Sequence, residues 1–288
     1  MGVFRAEVAT RLLYGVGLGV VVVTVLANGG PLLLLVVAVA AVLGLREFYR
    51  LVRVEGGRTL GLLGYPTAVL LVVIAYLEVD LPMAESVGLM AAWFILLAFV
   101  AQLVRAAGNR PLYRVSELST TFFGVFLTAG FLSYIFRYNA LADLFPETEW
   151  AAVVLVPVVG AWGYDTAAYF AGRFYGTTRY LTQVSTKTWE GTIGGLVGVT
   201  AGMPLYAAMT KMALTPADLG RWAVVGFLCG VVAQIGDLGF SAIKREMRLK
   251  DSGKFMPGHG GLLDRLDSFL LVLPIGYYLV NMFFGGAA

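Results

Sequence analysis

Between Ser241 and Asp267 the chain reads Ser-Ala-Ile-Lys-Arg-Glu-Met-Arg-Leu-Lys-Asp-Ser-Gly-Lys-Phe-Met-Pro-Gly-His-Gly-Gly-Leu-Leu-Asp-Arg-Leu-Asp, a cluster of cations, carboxylates and glycines between two apolar segments. Cations gathered beside carboxylates suit phosphates held together with a divalent metal ion. Asp237, Ser241 and Lys244 share one helical face by their i, i+4, i+7 spacing. Asp264 and Asp267 are one turn apart; both can face a pocket, or Asp267 can hold Arg265. Gly258, Gly260 and Gly261 let backbone N–H groups come close to an anion. His259 between them reads either as a proton carrier or as a turn residue bonded to backbone or phosphate. Hard carboxylate oxygens without a Cys or His cluster suit Mg²⁺. No P-loop or dinucleotide Gly pattern is present, so a soluble nucleotide-binding fold is not indicated.

The elements that must position these groups are membrane helices. The chain is 59% hydrophobic and 14% charged, whereas soluble domains carry about 25% charged residues. Apolar runs long enough to cross roughly 30 Å of hydrocarbon recur at 12–27, 31–49, 60–77, 86–104, 120–138, 151–172, 189–210, 221–243 and 262–284. They predict an all-α, polytopic integral membrane protein with about nine transmembrane helices. Numbered alternately, one set of loops carries 18 of the 21 Lys and Arg residues, and the other only Arg137, Lys211 and Arg221. Positive charge stays inside, so the N-terminus is expected in the cytoplasm and the C-terminus outside. The outside loops are short and acidic, with Glu78, Asp80, Glu85, Asp143, Glu147 and Glu149. The single Cys229 excludes an intramolecular disulfide and reads as an apolar filler.

The first five spans, residues 1–138, carry almost no intramembrane charge and read as scaffold, with Gly15, Gly17 and Gly19 permitting close helix or subunit contact. Polarity changes in residues 139–288, the expected catalytic region. Asp165, Glu190, Asp237, Asp264 and Asp267 lie in or at the ends of apolar runs, where a carboxylate costs several kcal/mol unless paired, wet or metal-bound. With alternating span directions, all five fall within roughly 10 Å of the cytoplasmic boundary. The cationic loops 173–188 and 244–261 cap the same face, so one polar pocket facing the cytoplasm is expected. Gly-x-x-x-Gly spacings at 191/195, 194/198, 198/202 and 226/230 are explained by tight helix packing.

The run Ser241-x-x-Lys-Arg245, then Lys250-Asp251, Pro257-Gly-His-Gly-Gly261 and Asp264-Arg-x-Asp267 resembles the signature of phosphatidate cytidylyltransferases. Asp165-Thr-Ala-Ala-Tyr-Phe-Ala-Gly-Arg173 and Lys187-Thr-Trp-Glu-Gly191 also resemble segments of that family, in the same order. One departure is that Ser185-Thr-Lys-Thr188 stands where the family usually has Ser-Pro-Lys-Lys-Thr. The resemblance covers the C-terminal half well and the N-terminal half only as hydropathy. It implies transfer of a cytidylyl group from CTP to phosphatidic acid, giving CDP-diacylglycerol and pyrophosphate in phospholipid synthesis. It further implies a multi-pass protein of the cytoplasmic membrane, with CTP, phosphatidate and the bilayer as partners, no nucleic acid, and a homodimer. Under this reading Asp237 and Asp264 hold Mg²⁺, with K⁺ as a possible second cation; Lys244, Arg245, Lys250, Lys254 and Arg265 hold phosphates; Asp165 and Asp251 support them. Lys187, Glu190, Ser241, Gly258, His259, Gly260, Gly261 and Asp267 complete the substrate site. The rival readings are an ion-coupled transporter, whose charges would sit near the midplane within a two-fold repeat, and a CTP-using enzyme acting on another lipid phosphate or an isoprenoid alcohol.

Overall fold

The computed structural model describes residues 17, 19–77, 83–213, 215–253 and 260–285. The helices are α1 (Gly19–Asn28), α2 (Gly30–Val54), α3 (Gly61–Leu77), α4 (Met83–Ala107), α5 (Val115–Val125), α6 (Phe131–Leu141), α7 (Trp150–Val154), α8 (Val156–Tyr175), α9 (Trp189–Met209), α10 (Pro216–Glu246) and α11 (Leu263–Phe284). Among the described residues the β pairing is one isolated bridge, Arg179 to Thr188. Among the described residues, five segments are long and apolar enough to cross a membrane: Gly30–Val54, Val115–Leu144, Trp189–Met209, Pro216–Glu246 and Leu263–Phe284. Shorter apolar helices cover Gly19–Asn28, Gly61–Leu77 and Ala91–Ala107, and α7 with α8 covers the expected sixth run. The chain is an all-α, polytopic membrane protein. The acidic loop residues Glu78 and Asp80 lie outside the described residues, as does the side chain of Glu85.

Helix ends follow local chemistry. Thr215 caps α10 and forms a reciprocal box with Asp218. Thr188 caps α9 by accepting from the Gly191 N–H at 3.2 Å. Between α5 and α6 a π turn, Phe126–Gly130, keeps one long rod continuous and packs on α2 and α3. Arg137, expected in an outside loop, is instead buried in α6, because the rod runs on to Leu144.

α8, α9 and α10 pack in succession, and α11 closes against α10, α8 and α6. The small residues of α9 let this happen. A Cβ on Gly195 would lie 2.6 Å from Tyr164 Cε2 and 2.8 Å from Ala168 Cβ, so α8 and α9 touch almost backbone to backbone. The same α9–α8 seam uses Gly191, Gly194 and Gly198, while Gly202, the last member of the expected spacing, meets nothing within 4 Å. Gly195→Val is therefore expected to overpack the seam and lower stability by about 1–3 kcal/mol. A fall in the unfolding midpoint of detergent-solubilised protein checks this; an unchanged midpoint would mean that the seam gives way easily.

Candidate active site

α8, α9, α10, α11 and the segment before α9 enclose a cavity of about 480 Å³. Its lining includes Asp165 of α8, Lys187 of the 176–188 segment, Asp237 of α10, and Asp264, Arg265 and Asp267 of α11. Carboxylates that are far apart in the chain thus meet in one place, as their intramembrane positions implied. α8 continues to Tyr175 and α10 to Glu246, beyond their apolar runs, so Asp165 and Asp237 stand further from their helix ends than from the ends of those runs. At 1.5 Å per residue, Asp237 sits about 13 Å below the end of α10. A Cβ on Gly236 would be 2.7 Å from the Asp267 carbonyl oxygen, so this glycine lets α10 and α11 approach beside both acids.

The acids are held by specific donors. Lys187 Nζ is 2.5 Å from Asp237 Oδ2 and donates to Gln234 Oε1 at 3.0 Å. Gln234 is fixed in turn by the Tyr164 hydroxyl, which donates to its Oε1, and by Tyr180, which accepts from its Nε2. Lys244, buried near the end of α10, donates to Asp264 Oδ1 at 2.7 Å and stands 3.8 Å from Asp267 Oδ2. Asp264 Oδ2 accepts the N–H groups of Ser252 and Gly261, both at 2.8 Å. Asp165 accepts from Ser268 Oγ at 2.8 Å. The shortened Ser185-Thr-Lys-Thr188 segment still delivers its lysine to the cavity.

A residue that sequence reasoning passed over completes the arrangement. Glu47, on α2, accepts the N–H of Leu262 on Oε1 and that of Leu263 on Oε2, both at 2.9 Å, and the Ser252 hydroxyl on Oε2 at 2.8 Å. These are among the N–H groups that the start of a helix leaves without intrahelical partners. A carboxylate from the N-terminal half therefore caps the helix that carries Asp264 and Asp267. The available signal was an acid embedded in the Arg46–Arg53 cluster at the end of an apolar run, but spacing alone could not name partners more than 200 residues away.

Other expected site residues lie elsewhere. Arg245 donates to the Leu249 carbonyl at 3.1 Å, and Lys250 and Asp251 are exposed on the same turn. Ser241 is half-buried and does not line the cavity. Glu190 accepts from Thr177 Oγ1 at 2.6 Å and from the Thr178 N–H at 3.1 Å, which pins the 177–178 backbone beside the cavity. Gly260 has φ of +81°, and the Gly261 N–H is directed at Asp264, an anion of the chain itself. Lys254, Gly258 and His259 lie outside the described residues.

The donor set fits a hard dication in type. Among the described residues no group of three or more His, Cys, Asp or Glu side chains could hold a metal ion alone. Mg²⁺ commonly takes one or two carboxylates and completes its shell with water and phosphate oxygens. Lys187 and Lys244 are held against Asp237 and Asp264. A phosphate that drew either ammonium away would leave a carboxylate in need of another cation.

The sequence profile of the Cytidylyltransferase family matches residues 9–283. The chain is similar to "Phosphatidate cytidylyltransferase 5, chloroplastic" of Arabidopsis thaliana, 28% identical over 96% of this chain and 73% of that protein. It is similar to a phosphatidate cytidylyltransferase of Synechocystis, 27% identical over 89% of this chain and 91% of that protein. It is also similar to one of Bacillus subtilis, 39% identical over 42% of this chain and 45% of that protein. The profile runs through α2, whose Glu47 caps α11, as well as through the four helices around the cavity, and on that breadth the chain belongs to the cytidylyltransferase family.

Proposed function

We propose that the protein transfers the cytidylyl group of CTP to phosphatidic acid, releasing pyrophosphate and forming CDP-diacylglycerol, at the cytoplasmic boundary of a cell membrane. One observation carries this reading: a single cavity among membrane helices brings Asp165, Asp237, Asp264 and Asp267 together with Lys187 and Arg265. The phosphate oxygen of phosphatidate attacks the α-phosphorus of CTP, and the bond to the bridging oxygen of pyrophosphate breaks. A phosphomonoester with a second pKa of about 6 is already largely dianionic at neutral pH, so no side chain has to remove a proton. The barrier is the meeting of two polyanions, which fixed cations lower by neutralising and aligning them.

In this reading Lys187 and Arg265 hold phosphate oxygens from the cavity wall, and Lys244, buried behind Asp264, adds a third cation. Arg245, exposed in the last turn of α10, and Lys250 and Asp251, exposed just after it, meet the nucleotide on entry, together with Lys254, Gly258 and His259. Asp237 and Asp264 would hold Mg²⁺, which supplies charge neutralisation at the phosphates. Glu190 and Ser268 act through others, Glu190 by fixing the 177–178 backbone and Ser268 by orienting Asp165.

Incubating purified protein with labelled CTP and a lipid panel tests the proposal. Pyrophosphate release and a labelled liponucleotide with phosphatidate are the expected result. A phosphorylated lipid with CDP, or no turnover with any lipid, overturns it.

A further inference from the structure

A second cavity, of about 690 Å³, is lined in part by Glu47, which does not line the acidic one. Arg46, Arg50 and Arg53 line it from α2, Tyr65 from α3, and Gly253 from the segment that carries Ser252. The three arginines follow i, i+4, i+7 spacing and so share one face of α2. All three are exposed, and among the described residues none is in an ion pair with a carboxylate. Three guanidinium groups converging without carboxylate partners form a receptor for a multiply charged oxyanion, since each can offer two parallel donors.

The rest of the same helix face indicates what bears that anion. Towards the N-terminus the face continues through Leu43, Val39, Val36 and Leu32, at helical spacing, and Val39, Val36 and Leu32 are exposed. One stripe of α2 is therefore apolar for about three turns and tri-cationic for the next two. A water-borne nucleotide has no use for the apolar part. A glycerophospholipid matches both, with acyl chains along Leu32–Leu43 and phosphate at Arg46–Arg53.

We propose that this face of α2 is a docking groove for a lipid with an anionic phosphate headgroup, and specifically for phosphatidic acid ahead of its transfer. The specific assignment rests on the proposed function. The partition between groove and acidic cavity is thin: Ser252 Oγ donates to Glu47, which borders the groove, while the Ser252 N–H is bonded to Asp264, which lines the acidic cavity. A headgroup in the groove is thus one hydrogen-bonded residue away from the acids.

The test compares wild type with the Arg50→Gln/Arg53→Gln variant and its Arg50→Lys/Arg53→Lys control. Retention of phosphatidate, phosphatidylglycerol and phosphatidylcholine is measured on the full-length protein by native mass spectrometry, and steady-state kinetics in mixed micelles vary phosphatidate and CTP separately. The glutamine variant is expected to retain about tenfold less phosphatidate, with a matching rise in KM for phosphatidate and little change in KM for CTP. The lysine control should recover part of the loss. Unchanged phosphatidate retention overturns the groove, and a rise in KM confined to CTP assigns the arginines to the nucleotide's phosphates instead. Loss of retention without turnover in either protein supports the groove and removes the transferase reading, so the two failures are distinguishable.

Discussion

Asp264→Asn is expected to lower the rate of CDP-diacylglycerol formation by about a thousandfold while leaving the protein folded. Every group around that carboxylate is a donor: the Lys244 ammonium on Oδ1, and the Ser252 and Gly261 N–H groups on Oδ2. An amide keeps one acceptor and turns an NH₂ towards another donor. Either Lys244 swings free or the Ser252 and Gly261 N–H groups lose their acceptor, and in both cases the carboxylate charge that would attract a dication is gone. Turnover and the unfolding midpoint, measured together in detergent, check the expectation. Activity close to wild type would mean that the 244–252–261–264 node is scaffolding and that chemistry happens elsewhere. Asp237→Asn probes the other half of the cavity, since it removes the charge that Lys187 faces at 2.5 Å.

Glu47→Gln carries the second large effect, and it acts from outside the acidic cavity. The side chain accepts three hydrogen bonds, two from the first turn of α11 and one from Ser252, and all three partners are donors. Leaving one or two of them unmatched costs about 2–4 kcal/mol of stability. A shift of about 1 Å in α11 is enough to lower turnover about a hundredfold, because Asp264 and Asp267 ride on its first turns. The effect should fall on kcat, with KM for CTP nearly unchanged, and Ser252→Ala should be milder, since it removes only the hydroxyl. A large rise in KM for CTP with normal kcat would instead place Glu47 in direct contact with the nucleotide.

Much of this architecture was legible in the sequence, for identifiable reasons. Long apolar runs declare membrane helices because hydrocarbon tolerates no unpaired backbone. Aspartates inside such runs declare a site because they are costly elsewhere, and the cavity does gather Asp165, Asp237, Asp264 and Asp267. Helix ends were less legible: α10 stays helical through its charged end to Glu246, past the point where apolarity stops. Arg245 and Lys250 looked equivalent to Lys244 by composition, but on a helix only one side turns inward. Lys244 is buried, Arg245 is exposed and bonded to the Leu249 carbonyl just past its helix, and Lys250 is exposed beyond the helix end. Glu47 was invisible because its meaning depends on tertiary partners rather than on spacing. The segment at Lys187 lacks the Pro and one residue of the related signature, yet the backbone still carries its amine to Asp237.

The hydrogen bonds that Glu47 accepts come from residues 205, 215 and 216 positions further along the chain. During biosynthesis the second helix enters the bilayer long before its partners have been translated. The acidic cavity cannot be organised until α11 has inserted and found that waiting carboxylate. A product that stops before α11 is therefore expected to be inert, and co-expression of two severed halves should recover turnover only when the fragments reassociate through this clasp.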